Sequence, residues 1–501
     1  MLTVARHRTG FPLQTLLEGM TDAPVQGNIL VQGISSDSRD IREGDLFIAC
    51  RGTHTRGSLF IRDALKAGAV AVVMDEELMS DLDRRRSAIF PVADLPDKLG
   101  LIAGRFYGNP AEHLHLTGVT GTNGKTSICW WLAKVHSLLA GRPAGLIGTL
   151  GHGSYPRLDP GPNTTPGAVS LQRLLAGFVE ADADTAFMEV SSHALDQGRV
   201  NGVDFDVAVF TNLSHDHLDY HRNLQDYFQA KQKLFLFDSL RAAVVNCDDT
   251  FGRALLDSLP SGIEVIGYSL SGTPQQSTPP LVKAALLPGA EPVLDITCPW
   301  GNGQVKPGVT GAFNAGNILA VVSVLGLAGF PLDRILEKLE NIGPAPGRME
   351  SFRRADGARI VVDYAHTPAA LEQVLASLRE YCKGRLICVF GCGGDRDRKK
   401  RPRMGEVAQA LADEVILTDD NPRHEAGDGI VGDILSGMTG RDPARVERNR
   451  SGAIELALGQ AGPDDVVLIA GKGHEACQEV TGKRYPFSDR QQVRHLLGKQ
   501  G

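Results

Sequence analysis

The sequence predicts an α/β protein of three domains. These are a smaller N-terminal α/β domain, a central domain with a mostly parallel sheet of P-loop type, and a C-terminal Rossmann-like domain. Three observations predict it. The 501 residues make about three domains at roughly 150 residues each. Apolar runs of strand length alternate with helical periodicity along most of the chain. The polar, glycine-rich motifs fall just after those runs, at the strand ends where open α/β sheets bind ligands.

In chain order, residues 45–49 read as a buried strand, 59–67 have helical spacing, and 69–73 form a second strand. A helical stretch over 97–107 runs into Gly108-Asn109-Pro110, a turn signal that closes a first domain at residues 1–110. The central block opens on a strand at 114–120, a glycine-rich turn and a helix over 126–139. Ile128, Trp131, Leu132, Val135 and Leu139 share one face of that helix. Further strands at 185–190, 207–210 and 242–245 are separated by helical segments, so the sheet is parallel. The polar stretch 269–280 reads as a surface loop. Residues 341–348 form the second linker, dividing a central domain, 111–345, from a C-terminal domain, 346–501. Strands at 360–362, 386–390, 415–417 and 466–470 then alternate with helices.

Composition limits the function classes. Fifty-two Lys and Arg against 59 Asp and Glu give a net charge of -7, which argues against a general nucleic-acid or anionic-membrane binder. The 57 glycines and 27 prolines exceed the usual ~12% and imply many turns and close backbone approaches. Eight cysteines, Cys50, Cys129, Cys247, Cys298, Cys382, Cys388, Cys392 and Cys477, are scattered without a CxxC pair. That pattern argues against a disulfide framework and fits a reducing cytoplasm. The first residues lack a signal-peptide core, and the apolar stretch 318–330 falls short of the ~20 residues a bilayer span needs.

Gly121-Thr122-Asn123-Gly124-Lys125-Thr126 stands between a strand and a helix. Its glycines let backbone N–H groups approach phosphate oxygens, Lys125 reaches the β/γ-phosphates, and the Thr126 hydroxyl can ligate Mg²⁺. The strict P-loop pattern wants glycine at 119, where Val119 stands. Glu189, at a strand end, is a candidate hard ligand for Mg²⁺, although most such glutamates are solvated or salt-bridged. Segment 211–221 carries His215, His217 and His221 with Asp216 and Asp219. A zinc cluster, a polar loop with caps, or Mg²⁺ with His217 as a nitrogen ligand all remain open. By spacing alone Lys231 is a surface helix lysine. Three C-terminal strand ends bring Arg396, Arg423 and Glu475 to one rim, which suits an amino acid: arginine forks for carboxylate, an acid for ammonium. The alternative there is a set of surface salt bridges.

Taken together these motifs resemble the Mur ligase family, the ATP-dependent amide-bond ligases that build the peptidoglycan stem peptide. The resemblance runs from Asp37-Ser38-Arg39 to Gly471-Lys472-Gly473-His474-Glu475. It includes Glu189-Val190-Ser191-Ser192-His193, Asp216-His217-Leu218-Asp219, Phe313-Asn314-Ala315-Gly316-Asn317, Pro346-Gly347-Arg348-Met349-Glu350 and Asp363-Tyr364-Ala365-His366-Thr367-Pro368. Asp420-Asn421-Pro422-Arg423 is similar to the pattern of the diaminopimelate-adding members rather than the lysine-adding ones.

The resemblance implies a UDP-substrate domain, an ATP domain and an amino-acid domain. It implies that Ser36, Ser38, Thr53, His54 and Thr55 meet the uridine nucleotide, and that Asn163, Thr164, Thr165, Ser191, Gln197 and Arg199 hold a muramoyl dipeptide. Gly121, Thr122, Asn123, Gly124, Lys125, Thr126, Ser127, Asn314, Asn317, Arg348 and Asp363 would bind ATP. Two Mg²⁺ ions would rest on Thr126, Glu189, His217 and an N-carboxylated Lys231, its carbamate derived from carbon dioxide. Lys125, Lys231, His217 and Glu189 would form the catalytic set. Arg396, Asp420, Asn421, Pro422, Arg423, Gly471 and Glu475 would hold meso-diaminopimelate. The implied activity joins that amino acid to UDP-N-acetylmuramoyl-L-alanyl-D-glutamate through an acyl phosphate, in a cytoplasmic monomer hinged near residues 343–347. Two rivals are ligases of the same family: one adding L-lysine, one like folylpolyglutamate synthetase. A third, of another class, is a non-catalytic nucleotide-switched binding protein. Thr55-Arg56-Gly57-Ser58 departs from the family pattern after the nucleotide loop, and so does His424-Glu425-Ala426-Gly427 after Arg423, which lacks the family's usual proline.

Overall fold

Apolar runs bounded by turns become buried parallel strands in all three parts of the chain. The computed structural model describes residues 10–25, 27–51, 57–80, 88–272, 279–287, 292–440 and 444–498. In the N-terminal part, Gly33–Ser35, Asp45–Ala49, Ala71–Asp75 and Ile89–Val92 pair in that order, all parallel. The run expected at 69–73 enters the sheet two residues later, after the left-handed turn at Gly68 (φ 103°). Helix Leu95–Phe106 covers the sheet with Leu95, Ile102, Ala103 and Phe106.

The central sheet has ten strands. Its middle runs Glu264–Ser269, Ala242–Asn246, Val207–Phe210, His115–Thr120, Thr185–Glu189 and Gly145–Gly148, neighbour to neighbour and all parallel. Strands covered on both faces read as continuous apolar runs, which is why Ala242–Asn246, Val207–Phe210, His115–Thr120 and Thr185–Glu189 were visible in the sequence, whereas Glu264–Ser269 and Gly145–Gly148 were not. Helices Lys125–Ala140 and Ala312–Leu327 pack together on one face. The apolar stretch 318–330 therefore belongs mostly to a buried core helix. Among the described residues no helix is long and apolar enough to cross a membrane.

Antiparallel additions at both edges were not expected. Gly151–Ser154 folds back on Gly145–Gly148, and Val293–Cys298 and Gly301–Val305 extend the opposite side beyond Leu281–Leu287. Of the loop expected at 269–280, residues 273–278 lie outside the described part.

The C-terminal sheet orders Glu350–Arg353, Arg359–Asp363, Val466–Ala470, Leu386–Phe390, Glu414–Leu417 and Arg445–Val446, parallel except for the first pair. Its parallel strands end at Asp363, Phe390, Leu417 and Ala470, so the segments that follow them crowd one end of the sheet. A hairpin, Cys477–Val480 with Lys483–Pro486, leans on that end.

Candidate active site

The phosphate loop is held by the strand beside it. Thr122 N donates to Asn212 O (2.8 Å), Asn123 N to Asn212 Oδ1 (3.0 Å), and Thr211 Oγ1 to Asn123 O (2.6 Å). Two glycines are required by space. A Cβ on Gly121 (φ 145°) would lie 1.8 Å from Thr211 Oγ1, and one on Gly124 (φ 89°) would lie 2.5 Å from Asn317 Oδ1. Gly124 caps helix Lys125–Ala140 without a side-chain cap, so its first N–H groups are available to an anion. Lys125 Nζ folds back onto Gly121 O (2.7 Å) and Thr122 O (2.8 Å), which keeps it inside the loop. Asn314 and Asn317, on helix Ala312–Leu327, face the same loop and share a hydrogen bond (3.4 Å).

Glu189 is buried at the end of its strand and fully engaged. Oε1 accepts from Thr149 N (2.8 Å). Oε2 accepts from Thr126 Oγ1 (2.9 Å) and Thr149 Oγ1 (3.1 Å). Thr126 Oγ1 also accepts from Arg348 Nη2 (3.0 Å), so one hydroxyl joins the phosphate loop, the strand-end carboxylate and the start of the C-terminal part. Arg348 stacks on Tyr364, 4.3 Å from the ring centre. Asp363 accepts from Met349 N and Ala365 N, both at 2.7 Å. Burial raises its pKa, with Arg348 and those two amides opposing.

Lys231 corrects the surface reading. It is 1% exposed, its Nζ donates to Gly121 O at 2.8 Å, and it sits 4.4 Å over the Tyr227 ring. Burial, reinforced by the charge of Lys125, pushes its pKa well below the ordinary lysine value, against the pull of Asp216. The reason is position: Tyr227 and Lys231 stand four apart on helix Leu224–Gln232 and share its buried face.

The described residues of the histidine-rich segment do not gather into a zinc-type cluster. Among the described residues no three His, Cys, Asp or Glu side chains are grouped to hold a metal. His221 bonds Ser192 Oγ (3.0 Å), and His215 is exposed. His217 (φ 55°) packs edge-on against His193, with ring centres 4.8 Å apart. Burial lowers its pKa to about 4 although Asp216 opposes this, which leaves a neutral imidazole at neutral pH. Asp216 in turn feels His366 and Lys400 across the domain boundary.

Thr164, Thr165, Ser191, Gln197 and Arg199 come together beside Glu189. Thr164 Oγ1 shares a bond with Thr149 Oγ1 (3.0 Å). Thr165 Oγ1 donates to Glu189 O (2.8 Å) and accepts from Ser191 N (3.0 Å), while Arg199 bonds Thr165 O (3.2 Å) and Gln197 Oε1 (2.9 Å). Asn163 is exposed at the start of this stretch. Ser36 and Ser38 lie just past strand Gly33–Ser35, Ser38 opening a short 3-10 turn capped by Asp37. Thr53, His54 and Thr55 lie outside the described residues.

The C-terminal rim gathers its expected members. Gly393 adjoins both Arg396 and Arg423. Arg423 (φ 52°) is held by backbone bonds to the hairpin, N to Glu479 O (3.1 Å), and its Nη1 donates to Gly394 O (2.7 Å). Pro422 is buried between Asn421 and Arg423. A Cβ on Gly471 (φ 111°) would lie 2.6 Å from Asp420 Oδ2, so glycine lets these two strand-end loops touch. Asn421 Nδ2 donates to Glu475 Oε2 (2.9 Å). Arg423 and Glu475 are not paired with each other: Arg423 lies 3.6 Å from Glu479 and Glu475 2.6 Å from Lys472. Thr149, Tyr227 and Lys472 were missed by the sequence reading. Tyr227 carried a cue in its spacing from Lys231, and Lys472 in its place within the motif 471–475.

The cleft between these groups is lined from both sides: Lys125, Thr126, Glu189 and His217 from the central domain, Arg348, Asp363 and His366 from the C-terminal one. Family models match in the same order as the sheets. A Mur ligase family catalytic domain covers residues 30–107, a Mur ligase middle domain 119–325, and a Mur ligase glutamate ligase domain 347–473. A protein of Alkalilimnicola ehrlichii named UDP-N-acetylmuramoyl-L-alanyl-D-glutamate--2,6-diaminopimelate ligase is 46% identical over 97% of this chain and 99% of its own. One of the same name from Pseudomonas aeruginosa is 45% identical over 94% and 96%. A solved structure bearing that name superposes with TM-score 0.70 at 36% identity, covering 98% of this chain and 99% of that one. A D-alanyl-D-alanyl-adding ligase from Acinetobacter baumannii, 18% identical with TM-score 0.62 over 99% of each chain, shares the fold. With the phosphate loop, the buried carboxylate and Arg348 and Asp363 of the C-terminal part lining one cleft, and with relatives alike along nearly the whole length, the chain belongs to the Mur ligase family of ATP-dependent amide-bond-forming ligases.

Proposed function

We propose that this ligase adds meso-diaminopimelate to UDP-N-acetylmuramoyl-L-alanyl-D-glutamate, with ATP converted to ADP and phosphate. The observation that carries the reading is a chain of contacts between the two parts: Arg348 donates to Thr126 of the loop that would hold the nucleotide and stacks on Tyr364, whose ring packs on His474, the neighbour of Glu475. The names of its close relatives support the substrate pair.

A carboxylate is a poor acylating agent because its leaving group would be oxide. Transfer of the γ-phosphoryl group to the D-glutamate γ-carboxylate makes an acyl phosphate. The amine of diaminopimelate adds to its carbonyl carbon, and the tetrahedral intermediate expels inorganic phosphate as the amide forms. Positioning and charge neutralisation supply most of the catalysis. Lys125 and the amides of residues 121–126 would hold the phosphates. Thr165, Ser191, Gln197 and Arg199 would fix the muramoyl dipeptide beside Glu189.

The donor set fits Mg²⁺. Thr126 and Glu189 offer hard oxygens in a buried, hydrogen-bonded arrangement, and His217 offers a neutral nitrogen. Lys231 fits only after carboxylation. An ammonium would repel the cation, whereas its depressed pKa favours the neutral amine that adds carbon dioxide, releases a proton and becomes an anionic oxygen donor. When bound, Mg²⁺ would neutralise charge on the phosphoryl oxygens.

Arg423 would pair with the distal carboxylate that distinguishes diaminopimelate from lysine, and Arg396 would supply a second fork. Asp420, Asn421 and Glu475 would take the ammonium end. With lysine bound, Arg423 would lack the substrate carboxylate and keep its ion pair with Glu479, 3.6 Å away. ATP and a UDP-sugar as substrates support a cytoplasmic site of action.

The test is phosphate release measured with ATP, the UDP-muramoyl dipeptide, and either meso-diaminopimelate or L-lysine. Release should require the dipeptide and meso-diaminopimelate together. Equal release with lysine overturns the amino-acid assignment, and release without any acceptor overturns the ligase reading of this cleft.

A further inference from the structure

We infer that Lys472 is a positioning residue for the amino-acid site, a buried cation that fixes Asn421 and Glu475, from two separate strand-end loops, as one receptor surface. The inference rests on the reading of Asn421 and Glu475 as contacts of the incoming amino acid. Lys472 follows strand Val466–Ala470 by two residues and is 0% exposed. Its Nζ donates to Glu475 Oε2 at 2.6 Å and to Asn421 Oδ1 at 3.0 Å. Asn421 Nδ2 donates to the same Glu475 oxygen at 2.9 Å, which closes a ring of three hydrogen bonds. Asn421 Oδ1 also accepts from Glu479 N at 2.9 Å. Two donors on that oxygen fix the amide's orientation, with its NH₂ towards the carboxylate.

Glu475 Oε2 thus carries two donors. Oε1 makes no hydrogen bond among the described residues, and the side chain is 28% exposed. The carboxylate presents one saturated oxygen inward and one open oxygen to the rim. A buried ion pair is a poor device for stability, because an apolar pair of the same shape does as well or better. What an apolar residue at 472 could not do is hold a carboxylate still while its second oxygen waits for an ammonium group. Charge-assisted bonds of this kind are the strong, orienting ones, and preorganised receptors bind more tightly because less is lost on ordering them.

The experiment is steady-state phosphate release by the full chain carrying Lys472→Met, with all three substrates varied in turn and thermal melting recorded in parallel. KM for meso-diaminopimelate should rise about tenfold or more, the effect of losing one hydrogen bond to a charged group. KM for ATP and for the UDP-muramoyl dipeptide should stay within about twofold. In a Glu475→Gln background, adding Lys472→Met should lower kcat/KM for the amino acid little further, because Lys472 acts through Glu475. An unchanged amino-acid KM in a folded variant overturns the inference. So does an equal loss on top of Glu475→Gln, or a parallel rise in all three KM values. Should Lys472→Met not fold, Lys472→Gln is judged by the same criteria. Failure of the wild-type chain to release phosphate in response to the amino acid refutes the functional reading instead, and is seen separately.

Discussion

Replacing Lys231 by methionine should abolish ligation and stabilise the protein at the same time. The side chain is 1% exposed, donates to one carbonyl, and lies near Lys125. Its pKa is lowered on folding, so below the unfolded lysine value near 10.4 the unfolded chain binds more protons than the native one. Under that condition stability rises with pH, and at pH 7 the lysine is a net cost to folding. Methionine fills much the same volume without the charge. Replacing buried charges by apolar groups of similar shape is neutral or stabilising by about 1–4 kcal/mol, and a domain of this size gains about 2–4 °C in Tm per kcal/mol. The assay is thermal melting of both proteins from pH 6 to 10 in buffer depleted of carbon dioxide, beside phosphate release in buffer that contains it. The variant should melt higher at pH 7, with the gap closing as pH rises. Its activity should fall on the order of 10²-fold or more, the usual effect of removing a preorganised charge-stabilising group. In Lys231→Ala, which leaves space, added short carboxylates should restore part of the activity. A Lys231→Met protein that melts lower at pH 7, or that retains full activity, refutes the reasoning.

Other expectations follow from the same geometry. Arg423→Ala should raise KM for meso-diaminopimelate far more than KM for ATP and should narrow the preference over L-lysine. Unchanged discrimination counts against it. Thr126→Val removes a hydroxyl bonded to both Glu189 and Arg348, two bonds to charged groups worth about 1.5–3 kcal/mol each. It should lower kcat/KM for ATP at least tenfold while Thr126→Ser stays near wild type, and a Val variant within threefold would contradict this. His474 is held near pKa about 3, chiefly by burial and then by Arg348. Between the unfolded value near 6.5 and that lower value, the unfolded chain carries the extra proton. Stability should therefore fall as pH drops through this window, by about 1.4 kcal/mol per unit for one proton. His474→Phe should flatten the slope in denaturant titrations from pH 6.5 to 4, and an unaltered slope would place the acid sensitivity elsewhere.

The doubly wound core was legible because strands buried on both faces must be apolar throughout, as at Val207–Phe210, Leu386–Phe390 and Val466–Ala470. The edges were not. Strand Gly145–Gly148 carries two glycines for tertiary reasons: a Cβ at Gly145 would strike Phe178, and one at Gly148 would strike Glu189. Close approach overrides a poor strand propensity there. Gly301–Val305 lies at the open edge of its sheet and has no continuous apolar run to betray it. Residue types and order identified the phosphate loop and the arginine–acid rim. Local spacing misread Lys231, since its burial depends on the Gly121 carbonyl, 110 positions away.

The linker shows how these separate motifs come to act at one place. Trp131 Nε1 donates to Gly343 O, and Lys134 Nζ to Ile342 O, both at 2.8 Å. The helix that begins at the phosphate loop therefore grips the chain just before it leaves the central domain. Beyond it Gly347 N donates to Glu350 Oε2 at 2.9 Å, and Glu350 is paired with Arg490 and Arg494 of the last helix. Between the two anchorages lie Pro344, Ala345 and Pro346, flanked by the left-handed Gly343 and Gly347 and followed by Arg348, whose guanidinium reaches Thr126. A rotation of the C-terminal domain about this segment pivots within a few residues of the phosphate loop. In such a rotation a group near the pivot would move little while Arg396 and Arg423 would swing further, so Arg348 would stay with Thr126 as the proposed amino-acid rim advanced or retreated. That division of labour follows from where the anchors are, and it depends on Trp131 and Lys134, residues whose sequence signature is only that of a core helix.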